Sequence, residues 1–141
     1  MSIDPKALVL GWTDALNRGD ADAAAAYVTE DCVFTNIGTG QRLVGRDAAR
    51  EDFVALIAMY SEMRIEKTTF LSTADGHYAT EWIMTGVHTG DVPGLPATGK
   101  PFRISGAGFG EIRDGKLARV TEYWNMAEFL IQVGVLPPPG A

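Results

Sequence analysis

The chain has 141 residues, of which 46% are hydrophobic and 21% are charged, values typical of one globular domain with a substantial core. The formal net charge is −6 and there is no block of Lys or Arg, which argues against nucleic acid or an anionic membrane as a partner. No apolar run approaches the roughly 20 residues of a membrane span. We therefore expect a single domain over residues 1–141, ending in a loose Pro-rich tail over residues 135–141.

Three helices are predicted in the first half of the chain. Apolar residues recur at every fourth position around Trp12, and this spacing predicts an amphipathic helix over residues 5–18. The Ala-rich segment 20–29 predicts a second helix. Apolar residues at spacings of three and four predict a third helix over residues 47–61, which places Tyr60 in a helix.

The rest of the chain is predicted to form strands, because its apolar residues alternate with a period of two and turn signals such as TADG and RDG separate the runs. Helices followed by a run of strands indicate an α+β fold, with the helices covering one face of a curved, mainly antiparallel sheet. Residues 127–135 predict a short closing helix. The expected strands are residues 32–37, 64–72, 77–88, 101–112 and 116–125.

Alternation along these strands assigns one set of side chains to the pocket side of the sheet. Three members of the set are polar, namely Asn36, His88 and Glu122. The apolar and small members, which we expect to contact a hydrophobic small-molecule ligand, are Phe34, Trp82, Met84, Ile104, Gly106, Gly108, Val120 and Trp124.

Glu122 is the strongest candidate for chemistry, because Val120 and Trp124 flank it on the same strand face. Burial between such neighbours raises the pKa of a carboxyl above its free value of about 4.3, toward the range useful for proton transfer. The nearest arginines in sequence are expected on the opposite face or in a turn, so no local counter-ion is evident. The alternative is a structural core acid that is paired elsewhere in the fold.

The other two polar residues each leave two interpretations open. His88 is expected at a strand end, where it either takes part in catalysis or bonds the backbone of the following loop. Asn36 either orients substrate or water, or makes a structural bond at its strand end. His88 and Asp91 have a spacing that a metal could use, but no matching third ligand follows, so we expect no metal site.

Two surfaces are also predicted to have a role. The loop TGDVPGLPATGK is longer than a hairpin needs, and its residues Pro93 and Pro96 flank Leu95, which we expect to cover the pocket mouth. The outer sheet face is apolar at Ile83, Val87, Ala107 and Phe109, which favours a homodimer. The N-terminus lacks the features of a secretion signal and Cys32 is the only cysteine, so we expect a cytoplasmic protein.

Several stretches resemble the SnoaL-like polyketide cyclases, which share a superfamily with ketosteroid isomerase, limonene epoxide hydrolase and nuclear transport factor two. These stretches are TGVHTGDVPGLPATGK, IRDGKL, the strand ending EYW, and IQVGVLP. The resemblance implies a cone-shaped α+β barrel around an apolar pocket and no cofactor. It also implies an acid on the last strand as the proton-transfer residue, which is Glu122 here, with His88 and Asn36 matching further polar positions of relatives.

The chain departs from two family patterns. Gly108 stands where such cyclases carry a histidine, and Trp82 and Met84 stand where the epoxide hydrolases carry Arg and Asp. We therefore expect a cofactor-free lyase or isomerase in which Glu122 moves a proton on a hydrophobic, polyketide-type ketone. The alternatives are an epoxide hydrolase or epoxide-opening cyclase and a non-catalytic, ligand-binding dimeric module.

Overall fold

The computed structural model describes residues 3–91 and 94–140, and within them the backbone forms four helices and one six-stranded sheet. The helices are α1 Pro5–Asn17, α2 Ala21–Ala25, α3 Arg46–Met59 and α4 Met126–Gln132. The strands are β1 Val28–Asn36, β2 Gln41–Val44, β3 Tyr60–Ser72, β4 His77–His88, β5 Pro101–Arg113 and β6 Lys116–Trp124. No helix among these described residues is long and apolar enough to cross a membrane.

The sheet is open and mixed, with the strand order β2-β1-β6-β5-β4-β3. Strands β3 to β6 form the predicted antiparallel meander, and only the contact between β1 and β6 is parallel among the described strand pairs. The helices pack on the sheet, so the predicted α+β class and the arrangement of helices on a mainly antiparallel sheet are confirmed.

Helix α1 begins and ends where the sequence predicts. The Asp4 side chain accepts a hydrogen bond from the backbone N–H of Lys6, and Pro5 occupies the first turn, where its missing N–H costs nothing. Gly19 follows the helix with a φ of 73°, a conformation that favours glycine. The buried face of α1 centres on Trp12, whose ring packs edge-on against Phe34 of β1 at 5.8 Å between centroids.

The predicted bounds of the next two helices are wrong. Helix α2 ends at Ala25 instead of residue 29, because β1 already begins at Val28, where it pairs with Leu117 of β6. Helix α3 ends at Met59, and Tyr60 is extended because it pairs with His88 in the sheet. Tertiary strand pairing overrides local helix propensity at both places. The short strand β2, which forms a hairpin with β1, was not predicted.

The side chains of the inner sheet face, which the helices cover, form two hydrophobic clusters. The first lies beneath α1 and α3 and contains Trp12, Phe34 and Phe53. The second lies against α4 and contains Trp82, Phe102 and Phe129. The strand register aligns several of the predicted pocket-side residues with one another, so that they share one face of the sheet: Phe34 with Val120, Trp82 with Gly106, Met84 with Ile104 and Gly106 with Trp124.

Candidate active site

Glu122 lies on β6 in the middle of the inner face. The register aligns it with Asn36 on one side and with Gly108 on the other, and Thr80 of β4 lies beyond Gly108. The residue is partly accessible, although it is surrounded by buried side chains such as Val120. Its carboxyl group is therefore inside the fold and still reachable from solvent.

One direct hydrogen bond to a side chain holds the Glu122 carboxylate. The indole Nε1 of Trp82 donates to Oε2 at 2.7 Å, and no Lys, Arg or His of the described residues forms an ion pair with Glu122. Burial raises the pKa of Glu122 above its ordinary value, while the charge of Lys67 and the Trp82 bond oppose that rise. A raised pKa makes the Glu122 carboxyl group a candidate for general acid–base catalysis.

Gly106 and Gly108 provide the space for this hydrogen-bonded pair. If residue 108 carried a Cβ, that atom would lie 2.8 Å from Oε2 of Glu122, and a Cβ at residue 106 would lie 2.4 Å from the Trp82 ring. The two glycines therefore let the carboxylate and the indole lie flat against β5. We expected the two glycines to contact a ligand, but the side chains of Glu122 and Trp82 fill the space that the missing methyl groups leave.

Lys67 is a charged residue of the inner face that the sequence analysis missed. It lies on β3 opposite Trp82, so its side chain enters the fold from the sheet edge, and its Nζ is 5.5 Å from the centre of the Trp12 ring. Burial lowers the pKa of Lys67, and the negative charge of Glu122 opposes that effect. The two groups sense each other's charge without a direct ion pair among the described residues. Alternation with Met63 and Ile65 was the available signal for Lys67.

Asn36 adjoins Glu122 in the register and has a structural bond. Its Oδ1 accepts from the indole Nε1 of Trp124 at 2.7 Å and from the backbone N–H of Thr39 at 3.1 Å. The amide Nδ2 makes no hydrogen bond within the described part of the chain, and the residue is partly accessible. Both interpretations of Asn36 therefore have support: its oxygen orders Trp124, and its N–H₂ group is free to donate.

His88 lies far from Glu122 along the sheet. From Thr80, which is level with Glu122, to His88 the chain runs about 26 Å along β4 at a rise of about 3.3 Å per residue. His88 is fully buried. Its Nδ1 accepts a hydrogen bond from the backbone N–H of Thr98 at 3.3 Å and lies 3.0 Å from Oγ1 of the same threonine. Nδ1 therefore anchors the loop before β5, while Nε2 has no partner among the described residues.

Most of the residues expected to contact a ligand are packed in the cores. Trp124 and Gly106 keep accessible surface, and Leu95 is partly exposed while it packs against the second cluster. Pro93, one of the two prolines that flank Leu95, lies outside the described residues. The buried members of the set are Phe34, Trp82, Met84, Ile104, Gly108 and Val120.

Three solved structures resemble this architecture. A candidate polyketide cyclase from Xanthomonas campestris pv. campestris is 31% identical with a TM-score of 0.78, and the match covers 92% of this chain and 96% of that one. A candidate polyketide cyclase from Pseudomonas putida KT2440 is 28% identical with a TM-score of 0.82, covering 94% and 100%. A Catenulispora acidiphila protein with a ketosteroid-isomerase-like fold is 19% identical with a TM-score of 0.79, covering 92% and 93%, and supports the fold alone.

A family model provides the comparison over most of the chain. The model described as SnoaL-like polyketide cyclase matches residues 6–133, which include all the strands and helix α1 apart from its first residue. Three of the four segments that carry the sequence resemblance lie inside this range, and the fourth, IQVGVLP, begins inside it. The chain therefore belongs to the SnoaL-like polyketide cyclase family.

Proposed function

We propose that this protein is a cofactor-free lyase or isomerase in which Glu122 transfers a proton to and from a hydrophobic, polyketide-type ketone. The observation that carries the proposal is the Glu122 carboxylate, which is inside the fold, accessible and free of any direct ion pair among the described residues. A structural acid in a non-catalytic binding module is expected to have a salt-bridge partner, since an unpaired buried charge is costly.

The Trp82 indole has a defined part in this proposal. Its N–H holds the carboxylate by one oxygen, Oε2, and leaves Oε1 without a hydrogen-bond partner among the described residues. A carboxylate that is fixed on one side and open on the other presents its second oxygen to a substrate C–H in a constant direction. The proton-transfer step therefore belongs to Oε1, and Trp82 positions it.

The test uses 2-tetralone, a hydrophobic ketone with exchangeable protons next to its carbonyl. The protein is expected to accelerate exchange of these protons with deuterated water, followed by NMR. Glu122→Gln, which keeps the side-chain volume, should slow the catalysed exchange by about 10²-fold or more, the usual contribution of a general base. Glu66→Gln is the matched control, because Glu66 is exposed on β3. Exchange by Glu122→Gln at the rate of the unmodified protein contradicts the proposal.

We also propose that the protein is a homodimer that pairs through the outer sheet face. Phe109 and Tyr123 lie side by side on that face with ring centroids 5.8 Å apart, and their side chains are 45% and 47% exposed. Two neighbouring aromatic rings that are half-exposed on a sheet face are typical of an interface.

A further inference from the structure

The inner face holds more polar groups near Glu122 than the protein's own hydrogen bonds satisfy. The hydroxyl groups of Tyr78 and Thr80 and the indole N–H of Trp12 are buried and have no hydrogen-bond partner in the described residues. Tyr78 and Thr80 are only 5% and 3% exposed. Buried polar groups normally find a partner, so several orphans in one region indicate a bound polar species there.

These orphan groups lie close to Glu122 and Lys67. Thr80 is next but one to Trp82 on β4 and lies across the side-chain-free Gly108 from Glu122. Tyr78 is close enough to Glu122 for the carboxylate charge to raise the pKa of its hydroxyl, an effect that adds to the larger one of burial. Trp12 lies beneath the Lys67 ammonium. A carboxylate and an ammonium therefore lie in one region of the inner face with hydroxyl and N–H groups that have no partner among the described residues.

The charge balance of this region changes when Glu122 accepts a proton. With Glu122 ionised, the carboxylate and the Lys67 ammonium balance each other. After Glu122 has taken a proton, Lys67 is the uncompensated charge of the pair, and the Tyr78, Thr80 and Trp12 donors remain. An oxyanion that forms in the same step restores the balance and pairs with Lys67, which is electrostatic stabilisation of the charge that develops during the reaction.

On the basis of the proposed function, we propose that Lys67 is a second catalytic residue, which binds the enolate oxygen of an enolisable ketone, assisted by the hydroxyl groups of Tyr78 and Thr80. Glu122 removes a proton from the carbon next to the carbonyl, the C–H electron pair becomes a C=C bond, and the carbonyl π electrons move onto the oxygen that Lys67 holds. When the C=O bond re-forms, the C=C pair attacks a second carbonyl carbon, whose oxygen then receives the proton from Glu122. Where a second C=C bond is conjugated with the enolate, the C=C electrons instead shift through it, and its far carbon takes the proton back from Glu122.

This assignment specifies the substrate. Its carbonyl oxygen points toward β3, where Lys67 enters the fold, and its acidic C–H lies on the β6 side, within reach of Glu122. A ketone whose C–H is activated by a second carbonyl fits this arrangement, because the second carbonyl makes that C–H acidic enough for a carboxylate to remove the proton. Asn36, whose Oδ1 is occupied by Trp124 and Thr39, has only its amide N–H₂ to contribute.

The probe for the anion site is 4-nitrophenol, whose phenolate resembles an enolate and has an absorption band distinct from that of the neutral phenol. Binding is followed by absorption titration at a pH where the free probe is mostly neutral. We expect the protein to bind the probe as phenolate. Lys67→Met should weaken phenolate binding by about 10- to 100-fold, the range for loss of a hydrogen bond to a charged group. Lys6→Met, at an exposed position of α1, is the control and should leave binding unchanged.

Two further variants make the result specific. Lys67→Arg should keep the phenolate band, because it restores the positive charge, and Glu122→Gln should bind phenolate more tightly than the unmodified protein, because it mimics the protonated carboxyl. A bound probe that stays neutral, a probe that does not bind, or phenolate binding that is unchanged in Lys67→Met overturns the inference, and the first two need only the unmodified protein. The exchange assay with 2-tetralone separately decides the role of Glu122, so either proposal can fail alone.

Discussion

At the scale of single residues, the site depends on Gly108, whose missing side chain leaves room for the Glu122 carboxylate. The Glu122 carboxylate occupies the place where a side chain at position 108 would lie, within 2.8 Å and 2.9 Å of its two oxygens. The Trp82 bond then fixes this position. The position of the Glu122 carboxylate depends on the Trp82 N–H and on the absence of a side chain at residue 108. It is therefore sensitive to small changes on the neighbouring strand β5.

Gly108→Ala should therefore impair catalysis more than folding. The new methyl group meets the end of a flexible side chain, which can move away, but the move takes the carboxylate from Trp82. We expect exchange of 2-tetralone protons to slow by up to roughly 10²-fold, the effect of a displacement of about 1 Å at a reacting group. NMR exchange rates and urea denaturation of the same variant check both parts.

Gly106→Ala is the matched control, because it should impair folding more than catalysis. Its methyl group lies 2.4 Å from the Trp82 ring and 2.5 Å from the backbone oxygen of Tyr123, and the latter cannot move without the strand. Overpacking of this kind lowers the free energy of unfolding by about 1–3 kcal/mol. If Gly108→Ala keeps the full exchange rate, the carboxylate position described here is not required for proton transfer.

The raised pKa of Glu122 also predicts how stability depends on pH. Because the folded state holds this proton more tightly than the unfolded chain, the contribution of Glu122 to the free energy of unfolding falls as pH rises from the unfolded pKa of about 4.3 through the folded pKa. Glu122→Gln has no titrating group at this position, so its free energy of unfolding does not fall with pH in this way. The variant should gain stability relative to the unmodified protein as pH rises above about 4, until the folded pKa is passed, by about 1.4 kcal/mol for each unit that separates the two pKa values.

Urea denaturation of both proteins at a series of pH values measures the difference. Glu66→Gln, at an exposed position, should show no such trend. A difference between Glu122→Gln and the unmodified protein that stays constant with pH, or that favours the unmodified protein at neutral pH, means that burial does not raise the pKa of this carboxyl.

At the scale of elements, two amide side chains join helices to open stretches of strand. Asn17 at the end of α1 donates to the carbonyl of Ile65 at 2.9 Å and accepts from its N–H at 2.7 Å, on the outer edge of β3. Gln132 at the end of α4 does the same for Arg103 of β5, at 2.8 Å and 2.6 Å. Each amide continues the sheet by one pair of hydrogen bonds and so covers an exposed edge.

Asn17→Ala should lower the free energy of unfolding by about 1–3 kcal/mol, since it leaves two partly buried backbone groups without partners. Gln132→Ala should cost less, because the same bonds are exposed there and water replaces the amide. Urea denaturation of the two variants gives the comparison. Equal losses contradict the argument that burial of the β3 edge decides the cost.

The elements also explain which parts of the fold the sequence predicts. The bounds of β4 coincide with the predicted residues 77–88, because its alternation is regular and a turn precedes it. Strand β3 has register irregularities between Ser61 and Arg64 and between Lys67 and Thr69, which obscure its faces. Glu122 was identified from its buried neighbours, whereas Lys67 was missed because its partners come from α1, β4 and β6, which no local pattern brings together.

At the scale of the whole molecule, the helices cover the inner face of the sheet, whereas the outer face carries exposed apolar side chains. Leu71, Ala79 and Phe109 lie in one row across β3, β4 and β5, and the Phe109 ring contacts that of Tyr123 on β6. Leu71 is 66% exposed. At one end of this apolar region, Glu111 forms ion pairs with His77 and Arg119, and His77 also pairs with Asp75. The two acidic and two basic groups balance each other when His77 is protonated, so they do not oppose the approach of a second copy.

Phe109→Glu should therefore dissociate the proposed homodimer. Two copies related by a twofold axis through this face bring the substituted positions near each other, and the change places two like charges in an apolar contact. Val54→Glu is the control, because Val54 is 45% exposed on α3, away from the sheet. Sedimentation velocity at micromolar concentration should give a dimer for the unmodified protein and for Val54→Glu, and a monomer for Phe109→Glu. A monomer in all three cases removes the dimer, and a dimer in all three places its interface elsewhere on the molecule.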